Sequence, residues 1–70
     1  MTRVERAHLA QADRHIAEAK SYIRKQERII AYLAATGRTT DDAQRLLDIL
    51  TGTLGAFEHH RRLILHRLGR

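Results

Sequence analysis

Five histidines and seven arginines crowd the two ends of this sequence, and they are the groups best equipped for chemistry. His8, His15, His59, His60 and His66 all fall within residues 1–16 and 58–70. Those segments together hold seven Lys/Arg against three Asp/Glu, which is +4 of a formal net charge of +5. One chemistry open to such a cluster is metal binding, but two ligands on one helix need an i,i+3 or i,i+4 spacing. His8 and His15 are seven apart, His59 and His60 adjacent, and His60 and His66 six apart. No pair within one helix qualifies, and a site shared between subunits stays open. A pH response asks for less, because neighbouring imidazoles gain charge below about pH 6.5 and repel.

Two further readings compete for the same ends. Arg3, Arg6, Arg14, Arg61, Arg62, Arg67 and Arg70 could contact the phosphates of a nucleic acid or another polyanion. No helix-turn-helix, zinc-finger or RNA-binding signature accompanies them, and only three aromatic residues exist for base stacking. Alternatively the ends are simply solvated, with Glu58 pairing locally to Arg61 and Arg62. Catalysis finds little to build on. There is no cysteine, no glycine-rich phosphate loop and no Gly-x-Ser-x-Gly elbow, and Ser21 is the only serine. Glu58 and His59 are sequence neighbours that a helix turns to different sides. The expectation is a non-enzymatic protein without a cofactor.

Which elements position these groups follows from periodicity. The 70 residues contain no proline and only four glycines, which favours long helices over a turn-rich β fold. Leu9, Ile16, Ile23 and Ile30 recur every seven residues as a positions, with Ala12, Ala19, Gln26 and Leu33 at d. Four unbroken heptads predict a coiled-coil seam on a helix from about residue 3 to residue 35. Thr36-Gly37-Arg38-Thr39-Thr40 then breaks the pattern. Gly37 suits the left-handed position that ends a helix, Thr39 or Thr40 can cap the next one, and Asp41 and Asp42 put negative charge in its first turn. Asp41 and Gln44 have the spacing of a weak capping box. A second helix follows over about residues 41–68, with Ala43, Leu47, Leu50, Leu54, Phe57, Arg61, Ile64 and Leu68 along its seam.

A connector this short predicts an antiparallel hairpin of two helices, all-α and a single domain over residues 1–70. Loop length suggests that Leu33 faces Leu47, Ile30 faces Leu50, Ile23 faces Phe57, Ile16 faces Ile64 and Ala12 faces Leu68. Arg61 would then cross Ala19 and carry its head to water. Gly52 and Gly55 weaken the second helix by about 1 kcal/mol each relative to alanine. They mark either surface drift with a mild kink or the close approach of another helix near Gln26. Gln26 itself, polar at a d position, either fixes register or faces partly outward.

Two helices cannot enclose a core, and this chain has apolar residues to spare. Tyr22, Ile29, Leu46, Ile49, Leu63 and Leu65 lie beyond the seam and form an expected partner interface. An isologous dimer of hairpins, a four-helix bundle, would cover them, as would a different protein partner. Neither a membrane span nor a signal peptide is expected: the longest apolar run, Ile29 to Ala35, is far short of about 20 residues. The default location is cytoplasmic.

The run Glu5-Arg6-Ala7-His8-Leu9-Ala10-Gln11-Ala12-Asp13-Arg14-His15-Ile16-Ala17-Glu18, the connector Thr36-Gly37-Arg38-Thr39 and the close of the second helix at His59-His60-Arg61-Arg62 resemble a group of short bacterial helical-hairpin, coiled-coil-like proteins of unassigned function. The likeness spans roughly residues 5 to 68. It implies a hairpin and supplies no activity and no site residues. The expected function is a small helical interaction or structural module that self-associates, with a basic nucleic-acid-associated accessory protein as the alternative.

Overall fold

A computed structural model describes residues 2–69. Two helices, α1 (Arg3–Ala35) and α2 (Asp41–Leu68), pack antiparallel into a rod of 53 × 15 × 12 Å. α1 starts on a complete capping box. The Thr2 hydroxyl accepts from the Glu5 amide, and the Glu5 carboxylate accepts from the Thr2 amide, each at 3.1 Å. The Thr-x-x-Glu spacing that signals it stands in the sequence as Thr2-Arg3-Val4-Glu5.

α1 ends in a Schellman turn. Gly37 has φ +74°, its amide donates to the Ala34 carbonyl, and the Arg38 amide donates to the Leu33 carbonyl at 2.9 Å. The expected role of Gly37 is therefore observed. The capping of α2 is not as expected. Thr40 is its N-cap residue but makes no side-chain cap bond, while the Thr39 hydroxyl accepts from the Asp41 amide at a long 3.4 Å. Gln44 turns away from Asp41 and donates to Asp48 instead, so no capping box forms there.

Both seams are where the heptads place them. Ala12, Ala19 and Gln26 are buried, and every other seam residue of α1 and α2 is half-buried. Gln26 thus faces inward, and its Nε2 donates to the Ala43 carbonyl at 2.9 Å. Among the described residues no large apolar side chain is fully enclosed. A two-helix layer has one shared stripe and no interior, so its leucines and isoleucines keep an open flank.

The register differs from expectation by about one heptad. Gln26 is level with Ala43, the His15 ring lies 5.1 Å from that of Phe57, and Arg61 Nε donates to Asp13 Oδ1 at 2.6 Å. The expected pairing set Leu54, Leu65 and Arg67 beside Gln26, His15 and Asp13. Turn geometry is the cause. The Schellman turn reverses the chain at once, so the first turn of α2 already lies beside Gln26, through Ala43, and Leu47 is carried past Leu33. Arg61 consequently crosses the level of Ala12 instead of Ala19, and its head leans to Asp13. Gln26 is also far from Gly52 and Gly55. A Cβ at either glycine would meet nothing within 4 Å, so no helix of this chain approaches them closely.

Candidate functional site

All but one of the exposed large apolar residues described share one offset. Val4, Tyr22, Ile29, Tyr32, Leu46, Ile49 and Leu63 are all exposed large apolar side chains. The last six each sit one position before a seam residue: Ile23, Ile30, Leu33, Leu47, Leu50 and Ile64 respectively. Val4 precedes half-buried Glu5 in the same way. One residue back is a turn of about 100° on an α-helix. Because the helices run antiparallel, that turn carries both sets to the same broad side of the hairpin. This is the apolar face.

Grooves between the helices confirm the geometry. One, of about 400 Å³, is lined by His8, Gln11, His15, His60, Leu63 and Arg67 above a floor of Ala12 and Ile64. Every lining residue other than the floor precedes a seam position, so this groove continues the apolar face toward the open end. A second groove is lined by Asp13, Lys20, Glu58 and Arg62 over Ile16 and Arg61. Those four follow seam positions and mark the opposite, charged face. Small and charged residues complete it: Ala17, Arg24, Glu27, Ala31, Asp48 and Gly55 share the offset.

The six interface candidates divide accordingly. Tyr22, Ile29, Leu46, Ile49 and Leu63 lie together on the apolar face. Leu65 follows Ile64 and lies on the charged face, 39% exposed. Val4 and Tyr32 belong with the five and were missed, although the offset that finds them is legible once the seam is drawn. Three of the five histidines, His8, His15 and His60, converge on the apolar face. His59 and His66 sit two positions past Phe57 and Ile64, on the outer back of α2. Among the described residues, no group of three His, Cys, Asp or Glu side chains is placed to hold a metal ion.

The candidate polyanion contacts do not form one surface. Arg67 lies on the apolar face and Arg62 on the charged face. Arg6 follows Glu5 and Arg3 follows Thr2, which also turns them to the charged side, whereas Arg14 lies on the outer back of α1. Arg61 is held by Asp13. Arg70 lies outside the described residues.

No family model, no curated protein and no solved structure matches this chain. What stands of the resemblance is the two-helix hairpin itself, since no comparison ties the chain to a named family or to bacteria. No helix among the described residues is long and apolar enough to cross a membrane.

Proposed function

We propose that this hairpin is a non-enzymatic, cytoplasmic interaction module that self-associates through its apolar face into a four-helix bundle. One observation carries the reading. Among the described residues, seven of the eight exposed large apolar side chains share a single face, and no large apolar side chain is fully enclosed. Exposed apolar residues scattered singly are ordinary, but Tyr22, Ile29 and Tyr32 on one helix beside Leu46 and Ile49 on the other form a patch of the kind that marks an interaction surface. A second hairpin laid on this face converts the half-covered seam into an interior. The dispersal of the arginines over three sides, with Arg61 engaged by Asp13, supports a protein partner over a polyanion.

Light scattering after size exclusion tests the proposal. At tens of micromolar the particle should have twice the 8.1 kDa mass of the chain. Leu46→Glu with Ile49→Glu should return it to a monomer, whereas Ala17→Glu with Ala31→Glu, on the charged face, should leave it dimeric. A wild-type monomer at that concentration refutes self-association. Equal effects of the two variants refute the assigned face.

A further inference from the structure

From Arg3 to Ala35, alternating steps of four and three residues trace a second stripe along α1, on the side away from its seam. Arg24 follows the seam residue Ile23, and Arg28 stands two positions past Gln26. With Arg3 and Arg14 they occupy four of the stripe's ten positions, and alanine or Ser21 holds the rest. No carboxylate stands on it. All four arginines are exposed, and among the described residues none is in an ion pair. We propose that this stripe binds the phosphate backbone of a nucleic-acid duplex without regard to base sequence.

The two helices differ in this respect. α1 carries seven Lys/Arg against four Asp/Glu, whereas α2 carries four against four. Two of the α1 carboxylates are engaged elsewhere, Glu5 in the capping box and Asp13 with Arg61. Glu18 and Glu27 stand on the flanking rows with Lys25 and Lys20, so the uncompensated charge is that of the four arginines. The corresponding side of α2 mixes signs in Asp41, Arg45, Asp48 and Arg62, and Arg45 is paired with Asp42. The arginines gathered at the chain ends point to several sides, but Arg24 and Arg28 complete a single row with Arg3 and Arg14.

A duplex fits this row in length and in chemistry. Arg3 and Arg28 are about 38 Å apart at 1.5 Å of rise per residue. Over that length a duplex presents a negative charge roughly every 1.7 Å of its axis. The planar guanidinium fork matches phosphate oxygens two at a time. Nothing on the stripe is built to read bases, since it holds no amide and no aromatic side chain. Nor is it built to enter a bilayer, because an interfacial helix needs large apolar side chains to insert, and those of α1 lie on the seam and the apolar face. The stripe is turned away from the apolar face, so a second copy and a duplex can be held at once.

Fluorescence anisotropy of a labelled DNA duplex, titrated with the full chain at several salt concentrations, tests the proposal. Four phosphate contacts should make the logarithm of the association constant fall against that of salt with a slope of about −3 to −4. Arg24→Gln with Arg28→Gln should bring that slope down by about 2. Arg62→Gln with Arg67→Gln removes the same charge from α2 and should leave it unchanged. Glutamine is close to arginine in helix propensity, so circular dichroism should match the wild type in both variants. Their mass by light scattering should also match, which separates this test from that of self-association. Equal losses in the two variants would reduce the effect to net charge and overturn the assigned stripe. Absence of duplex binding at low salt overturns the proposal outright. Capture by phosphatidylserine vesicles without duplex binding overturns it as well, and assigns the stripe to lipid headgroups.

Discussion

Gln26 Nε2 donates to the carbonyl of Ala43 at 2.9 Å, and Gln26, at 7% exposure, is the most buried polar side chain described. The bond sits in an otherwise apolar seam whose pattern repeats every seven residues. Sliding α2 along α1 by one heptad returns every seam residue to the seam, so hydrophobic burial alone barely distinguishes the two registers. A slipped register strands the Gln26 amide, and an unpaired buried amide costs about 1–3 kcal/mol. Gln26→Leu should therefore keep or raise the melting temperature while admitting a second register. Amide resonances of the variant should double along the seam, and a single wild-type-like set would show that Gln26 does not select register.

The two kinds of glycine should respond oppositely to alanine. Gly37 has φ +74°, where a side chain costs about 1–2 kcal/mol. Gly52 and Gly55 have helical backbones and open space around a built Cβ. Alanine at each should stabilise by about 0.8–1 kcal/mol. Neither lies on the apolar face, so self-association should not change. Thermal unfolding at one fixed chain concentration checks both signs, since a dimer's stability depends on concentration. A destabilising Gly52→Ala would reveal a close approach from another molecule.

These contrasts mark what the residues disclose and what they do not. Heptads at Leu9, Ile16, Ile23 and Ile30 announce the helix and its inward side, because burial on one stripe demands that period. Gly37 announces the turn, because little else tolerates its backbone. Register is hidden for the same reason that the stripe is visible: a seven-residue repeat is unchanged by a seven-residue slip. The hydrogen bonds of the Schellman turn, from Gly37 and Arg38 to Ala34 and Leu33, start the return of α2, and the bond from Gln26 to Ala43 holds it in one register. The apolar face was half-legible. Apolar character alone puts Leu65 with it, whereas the offsets of Leu65 from Ile64 and of Tyr32 from Leu33 place Leu65 on the charged face and Tyr32 on the apolar one.

Arg61 and Asp13 form a cross-helix ion pair at 2.6 Å, yet their side chains are 38% and 54% exposed. At that exposure water and salt screen most of the attraction, and such pairs contribute about 0.2–1 kcal/mol. The guanidinium stem does more. It covers the flank of the seam near Ala12, so Arg61→Ala should cost more than Asp13→Ala through lost packing. A double-mutant cycle separates the two contributions. The coupling energy should stay below about 1 kcal/mol and shrink further at high salt. Arg61→Met, which keeps the stem and drops the charge, should recover most of the stability lost in Arg61→Ala. A coupling of several kcal/mol that survives salt would instead make this pair, rather than the apolar seam around it, the main clamp at the open end of the hairpin.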